Sequence, residues 1–467
     1  MTGDAQPGTA PVSRLVAQAR AVLDRFLPQG ALLLSVLTFG AYLMGLVRDR
    51  FFARTFGAGA ELDAYNAAFV LPELLFDVIV AGGLAAPFVP VFSKLASEDR
   101  DAAHDFGRTV LTVGLIVMAA LSAALFVLAP LTVEVVAPSF GPAQRDLYTR
   151  LFRVMCVTPL IFTASIALGE VLVAKRRFLF YGLAPLLYNG GIVAGTIFLS
   201  GDLGIFGPAV GAVIGALLHL ATRLVGVLRT DFSIRPRLAM RTAAMREFGL
   251  LMVPRMASAP IEPLTFQFFT NVASAFVAGS VSSVSFARNF QSVPVSLIGV
   301  AFSLAAFPAL SAAAATGDRT GFIRILRQNV VTIAALTSAA AVVLLVGSTL
   351  IIDLLLGGGR FDAEDVSRTS LLLSVFALSV PLESLTYPLA RAIYATRNTI
   401  LPVASSVVGF VVTVVATLAL QPAVGLTAVP LGFTIGIGTK LALLAVSLPF
   451  RLRRLQELGA EDLSRPT

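Results

Sequence analysis

GLVRDRFFARTFGAGAELDAY, residues 45–65, places six formal charges (Arg48, Asp49, Arg50, Arg54, Glu61 and Asp63) between two apolar runs. The run before it covers residues 30–47 and the run after it 65–92. Each approaches or exceeds the roughly 20 residues that a helix needs to span about 30 Å of hydrocarbon. The stretch therefore reads as a short connection between two membrane spans. Ten more runs follow, at 109–136, 151–174, 179–200, 205–228, 247–272, 276–311, 329–356, 369–390, 400–421 and 424–449. The chain is 57% hydrophobic and only 13% charged, whereas soluble domains carry about a quarter charged residues. The expectation is an all-α integral membrane protein with twelve transmembrane helices.

Cations fall mostly on one side of these spans. The two ends of the chain and the even-numbered gaps hold 24 of the 35 Lys and Arg residues, the odd gaps hold 8, and Arg255, Arg288 and Lys440 lie inside spans. By the positive-inside rule both termini are cytoplasmic. The formal charge of +8 is then a matter of topology, and nucleic acid is excluded as a partner. Residues 1–29 carry Arg14, Arg20 and Arg25 without a short apolar core and cleavage site, so they read as a cytoplasmic segment and not a signal peptide. Cys156 has no second cysteine to pair with, and His104 and His219 are the only histidines. No metal site, histidine-based catalytic set or cofactor is implied. GFTIGIGTK (432–440) lacks the spacing of a phosphate-binding loop.

The longest and most basic gap runs from Arg229 to Gly249. It divides the chain into an N-lobe (30–228), a basic cytoplasmic linker (229–246), a C-lobe (247–449) and a tail (450–467). A repeat supports the division: APFVPVFSKLASEDRDAAHDFGR (86–108) echoes AAFPALSAAAATGDRTGFIR (305–324), with Pro90 and Pro308 218 residues apart. An even number of helices separates the repeats, so both leave the membrane on one side. Two six-helix lobes related by a pseudo-two-fold axis along the membrane normal follow, with a cavity between them.

Ionisable groups inside spans are costly, and those that persist face a partner or water. Glu73 and Asp77, one turn apart, read as a water-facing or cavity-facing pair. Arg255 and Glu262 are seven residues apart and share a face on a helix interrupted by Pro254, Pro260 and Pro263. Arg288 and Asn289, with Gln291, read as a substrate-facing cluster. Glu170 reads as snorkelling or paired with Lys175, and Glu383 as neutralised by Arg391. In the opening stretch, Arg48 ends the first span and faces the cavity, with Asp63 as its partner when no substrate is bound. Arg50 and Arg54 read as facing solvent or phospholipid.

GLVRDRFFARTFGAGAELDAYNAAFVLPELL (45–75), FVPVFS (88–93), KRRF (175–178) followed by APLLYN (184–189), and PVSLIGVAFSLAAFPALS (294–311) together resemble the MurJ/MviN family of lipid II flippases. The resemblance covers nearly the whole chain. It implies the fold of the multidrug/oligosaccharidyl-lipid/polysaccharide exporter superfamily, alternating access around a cationic cavity, and location in the bacterial inner membrane. The implied cargo is an undecaprenyl-pyrophosphate-linked peptidoglycan precursor, moved by ion gradient or membrane potential, with membrane lipids and cell-wall synthesis proteins as partners. Arg48 matches the family's cavity arginine and Asp63 its loop aspartate, and Arg48, Arg288 and Arg255 are the expected pyrophosphate contacts. Departures are plain: Tyr42 stands where the family has arginine, Phe76 and Asp77 where it has a basic pair, and Arg288–Asn289 where it reads Asp–Arg. These departures keep open the export of another polyprenyl-linked glycan, or a transport-inactive scaffold that recruits partners through the basic linker.

Overall fold

The computed structural model describes residues 31–463, and they build an all-helical protein. Helix α1 (Ala31–Phe56) carries the first apolar run and the arginines that end it. After a turn at Gly57 (φ +67°), α2 (Ala60–Phe76) continues through a π-helical segment (Asp77–Ala85) into α3 (Ala86–Glu98). Helices α4 (Arg100–Val136), α5 (Pro142–Met155), α6 (Thr158–Ala174), α7 (Phe178–Leu203) and α8 (Phe206–Leu228) complete the first half. An extended segment leads to α9 (Ala243–Ser258), α10 (Ile261–Ala273) and α11 (Ser280–Pro294). A second π segment (Val295–Val300) joins α11 to α12 (Ala301–Ala315). Then come α13 (Arg319–Leu355), α14 (Ala363–Ala377), α15 (Ser379–Ala395), α16 (Ile400–Val424) and α17 (Ala428–Leu463).

Taken across small breaks, eight of the described helices are long and apolar enough to cross a membrane, or nine if α14 and α15, bent by 41°, form one broken span. This is a multi-pass membrane protein. The stretch from Ile400 to Leu452 turns back at Gly425 (φ +62°), and α16 packs along α17. The expected segment 1–29 lies outside the described residues. Of the expected tail, 450–463 continues α17 as helix and 464–467 lie outside the described residues. Helix α9 begins three residues before the expected end of the linker, because the Thr242 side chain accepts a hydrogen bond from Met245 N and caps it.

The two halves repeat each other at a nearly constant offset. The π segments begin 218 residues apart, the separation of Pro90 and Pro308. Helices α4 and α13 are each 37 residues long, and each is capped by an aspartate side chain, Asp99 and Asp318. Arg176 (φ +57°) and Arg397 (φ +56°), the described non-glycine residues with positive φ, are 221 residues apart. Close helix pairs also match. Glycines 191, 195, 211 and 215 let α7 and α8 approach until a Cβ on Gly191 would lie 2.4 Å from the Gly215 Cα, and Gly436 is equally tight against Thr413 in α16–α17.

The packing differs between the two ends of the molecule. At the end that carries Gly57, the first end, one apolar core joins both halves, with Phe52, Phe56 and Leu62 against Phe269, Phe286 and Phe361. At the second end there are two cores. One holds Phe88, Phe92, Phe106 and Phe232 with Phe248 of α9, and the other holds Leu310, Phe322, Ile393 and Leu444 of the second half.

Candidate functional site

Between the halves lies a cavity of about 640 Å³. Its walls come from the end of α1 (Arg48, Asp49, Phe52), one face of α2 (Tyr65, Asn66, Glu73), the start of the first π segment (Asp77), α7 (Tyr188), α10 (Glu262, Phe266) and α11 (Arg288, Asn289). Asn66, Glu73 and Asp77 follow at seven and four residues, the spacing that keeps side chains on one helical face. A π bulge re-aims side chains inside a membrane helix and often marks a working site. Here it begins at Asp77, where the wall of the cavity turns.

Arg48 donates to Asp49 Oδ1 through Nε (3.1 Å) and Nη2 (2.9 Å), and to Asn189 Oδ1 through Nη1 (3.2 Å). Its guanidinium also sits over the Phe52 ring at 5.9 Å. The other Asp49 oxygen accepts from Asn289 Nδ2 at 2.9 Å. One carboxylate thus ties the Arg48 side chain to the second half of the protein. Arg48 remains 27% exposed to the cavity, while Asp49 is 4% exposed. Asp49 is the functional residue that sequence reasoning passed over; its adjacency to Arg48 in the Arg–Asp pair was the available signal.

Across the cavity, Arg288 is held far more tightly. Its two terminal nitrogens meet the two Glu383 oxygens at 2.9 and 3.1 Å, and it also contacts Gln291 Oε1. Gln291 in turn donates to Glu383 (2.9 Å) and to Ser379 Oγ (3.0 Å). Phe433 and Phe266 cover the guanidinium at 4.8 and 5.5 Å. Glu383 is therefore neutralised by Arg288, which reaches it across the second half, and the expectation that Arg391 would do so is corrected.

Asp63 is not the partner of Arg48. It is 2% exposed and caps α11: its oxygens accept from Gly279 N, Ser282 N and Ser282 Oγ, each at 2.7 Å. Gly279 has φ +92° and lies against the Ala58 carbonyl, a fit that only a residue without a Cβ makes. Arg50 and Arg54 are not simply solvent-facing or phospholipid-facing. Arg50 donates to Leu354 O and Leu355 O at 2.7 Å each, and Arg54 to Gly357 O at 2.9 Å. Both cap the carbonyl end of α13, where a cation is favoured. Ala58 N donates to Asp365 (2.9 Å), and Glu61 lies 3.7 Å from Arg360. The opening stretch does two jobs: Arg48 and Asp49 face the cavity, and the remaining charges stitch the halves together at the first end.

The other expected residues separate. Asn289 lines the cavity and bonds Asp49. Glu73 and Glu262 are exposed and line the cavity, as does half-buried Asp77. Arg255 is exposed on α9 and is not among the lining residues; a break at residues 259–260 separates it from α10, which carries Glu262. Lys175 pairs with Asp231 of the linker, not with Glu170, which is 7% exposed beside buried Arg223. The linker is fastened to α4: Arg237 pairs with Asp105 at 3.0 Å, and Arg237 N and Ala239 N donate to Thr112 and Thr109.

The lining holds two arginines against four carboxylates, Asp49, Glu73, Asp77 and Glu262. The cationic cavity that the resemblance implied is corrected: the site has a net acidic wall, with cationic positions at Arg48 and Arg288.

Comparison with known proteins agrees with the fold. The family model described as lipid II flippase MurJ matches residues 52–461. The lipid II flippase MurJ of Burkholderia cenocepacia is 26% identical over 436 residues, covering 91% of this chain and 84% of that protein. The probable lipid II flippase MurJ of Thermotoga maritima is 29% identical over 366 residues, covering 78% of this chain and 73% of its own length. Among solved structures, a lipid II flippase MurJ in an inward closed conformation superposes with a TM-score of 0.79 at 23% identity, over 92% of this chain and 91% of that one. An inward-facing multidrug resistance transporter of the MATE family gives 0.75 at 13% identity, over 94% and 99%.

Proposed function

Because this chain belongs to the MurJ family of lipid II flippases, a family of transporters and not enzymes, we propose that it moves lipid II, the undecaprenyl-pyrophosphate-linked peptidoglycan precursor, across the bacterial inner membrane by alternating access. The observation that carries this reading is the placement of Arg48 and Arg288, from opposite halves of the chain, on one cavity. A planar guanidinium donates two parallel hydrogen bonds to one phosphate, and a diphosphate needs donors from more than one side. In this reading Arg48 makes the first contact. Arg288 and Asn289 contribute from the second half, Glu73 and Asp77 line the path, and Asp63 holds the first end shut. Arg255 waits on α9 for a different arrangement of the lobes.

The proposal includes twelve crossings in two six-helix lobes (30–228 and 247–449) about an axis along the membrane normal, joined by the basic linker 229–246. The 218–221-residue offsets support the two-fold relation. The 24-to-8 division of cations supports cytoplasmic termini, which puts the first end outside. Cell-wall synthesis proteins are the proposed partners. The acidic wall, with Asp77 where the family has a basic residue, favours one alternative: another polyprenyl-linked glycan as cargo. Expression in a bacterium depleted of its own lipid II flippase tests the reading. Restored growth supports lipid II as cargo. Failure by correctly inserted protein that still binds a polyprenyl diphosphate favours the alternative glycan.

A further inference from the structure

Arg288 cannot serve an anionic cargo while Glu383 occupies both of its terminal nitrogens. Pulling it away would leave a buried carboxylate, 6% exposed, with only Gln291 and Ser379 nearby, and an uncompensated buried charge is strongly unfavourable. The exchange needs a second cation within reach of Glu383.

One is present. Beside the central cavity, inside the second half, lies a smaller cavity of about 220 Å³ whose walls include Glu383, Tyr387, Thr413 and Lys440. The two cavities share Glu262, Phe266, Phe269 and Arg288 as a common wall. Lys440 comes from α17, packed against Gly409 of α16. Among the described residues it makes no hydrogen bond or ion pair, and Glu383 and Glu262 are its electrostatic neighbours. Arg288 and Lys440 are the two cationic residues on the wall of this smaller cavity, and Arg288 is spent on Glu383. An ammonium on a four-carbon stem is mobile, and the open volume beside it gives it room to swing.

We propose that Lys440 is a positioning residue that takes over Glu383 when Arg288 turns toward an anionic headgroup in the central cavity. The inference rests on the diphosphate reading of that cavity. The exchange conserves charge: one ion pair and one unpaired lysine become a Lys440–Glu383 pair and an Arg288–phosphate pair. Glu383 keeps a cation at both stages. A lysine suits the relay because its compact charge on a flexible stem makes a point contact and releases it.

The test uses purified full-length protein in lipid nanodiscs, with geranylgeranyl diphosphate as the probe. Lys440→Met should weaken binding about tenfold or more. Lys440→Arg should recover most of the loss, a rescue that a purely packing role would not produce. Glu383→Gln frees Arg288 without an exchange partner, so in that background Lys440→Met should cost less than twofold. An unchanged affinity in Lys440→Met, a Lys440→Arg variant as weak as the methionine, or the full tenfold loss in both backgrounds overturns the proposal. If Glu383→Gln does not fold, the methionine and arginine variants decide it alone. Parent protein that binds no diphosphate lipid overturns the underlying cargo reading together with the exchange. Normal parent binding with an indifferent Lys440 overturns the exchange only.

Discussion

Two arginine–carboxylate pairs face each other across the central cavity, and they are built in opposite ways. Arg48 and Asp49 are sequence neighbours. Their hydrogen bonds converge on one oxygen of the carboxylate, and the arginine is 27% exposed to the cavity. Arg288 and Glu383 come from α11 and α15, meet through two parallel bonds, and are 5% and 8% exposed under two aromatic rings. The first pair keeps one terminal nitrogen on nothing stronger than Asn189, so an incoming anion displaces a neutral amide. The second must surrender its own counter-ion. In the proposed reading the difference separates a ready acceptor of cargo from a gated one, and it predicts unequal consequences when each is cut.

The largest effect belongs to the buried pair. Glu383→Ala leaves the Arg288 guanidinium without its carboxylate in a dry site, at a cost of about 3 to 5 kcal/mol. Thermal unfolding in detergent should show a large fall in the midpoint, and expression should drop with it. Arg288→Ala should be less damaging, because the Lys440 exchange proposed above would give Glu383 a replacement cation. Loss of transport in either variant therefore reports on folding first. Glu383→Gln with Arg288→Met, which removes both charges, should regain most of the stability and none of the transport. If single and double variants are equally stable, the pair is not buried as described and the contrast with Arg48 collapses.

Next comes the seal at the first end. Asp63 accepts three short hydrogen bonds from the start of α11, and a charged acceptor contributes about 1.5 to 3 kcal/mol per bond. Asp63→Asn keeps the shape but loses the charge and turns one acceptor into a donor. The balance should move toward a form open at that end by about 2 kcal/mol, roughly thirtyfold. A cysteine at Asn66, on the cavity wall, reports it: a membrane-impermeant maleimide added from outside should label it faster in the Asp63→Asn background. The native Cys156 is buried and gives little background. Equal labelling rates would mean that Asp63 is a helix cap and no latch.

Smaller still is the ready arginine. Arg48→Ala should lower the midpoint less than Glu383→Ala does, because Asp49 loses its cation but keeps its bond from Asn289 beside the open cavity. Affinity for a polyprenyl diphosphate should fall about tenfold, close to 1.4 kcal/mol. Lysine at position 48 should recover part of that, since it keeps the charge and loses the fork. A stability loss comparable to that of Glu383→Ala would erase the distinction between the two pairs.

How far this arrangement was legible in the sequence depends on the range of each contact. Apolar runs are local, and each described one is mostly helix, with breaks at residues 156–157, 259–260, 276–279 and 378; the repeat was visible as Pro90 and Pro308 because each half spells its own turn. Arg48 was identifiable from its place at the end of a span. Its partner was not: Asp63, fifteen residues on, and Asp49, the next residue, are equally plausible until α11 is packed against α2 and claims Asp63 as its cap. Glu383 was assigned to Arg391 by helical spacing, yet Arg288, 95 residues away, took it, a choice made by tertiary packing alone. The acidity of the cavity was hidden for the same reason, since Asp49, the Glu73–Asp77 pair and Glu262 come from three separate stretches of the chain. Lys440 looked like one more polar residue in a span, and only the small cavity beside it gives it a place to move.

The smallest effect should lie at the second end, where Lys94 of α3 and Glu247 of α9 meet at 3.2 Å with side chains 58% and 45% exposed. An exposed pair contributes about 0.2 to 1 kcal/mol and is screened by salt, so Lys94→Met should shift the conformational balance by less than about fivefold. At this end the division falls beyond α9: Phe88 packs with Phe248 of α9 in one core and Phe322 lies in another, so the rest of the second half parts from the first without breaking a core that both share. The first end has such an interior and three buried or half-buried polar ties besides, Asp63 with α11, Ala58 with Asp365, and Arg54 with Gly357. With this asymmetry the first end is the tighter seal and the second end opens at less cost. Labelling of the Asn66→Cys reporter from the cytoplasmic side of inverted vesicles should be fast in the parent, barely faster in Lys94→Met, and no faster when 0.5 M salt is added to the variant. A tenfold change on cutting Lys94 would show that this single exposed contact governs the second end, and the two ends would then be sealed by comparable means.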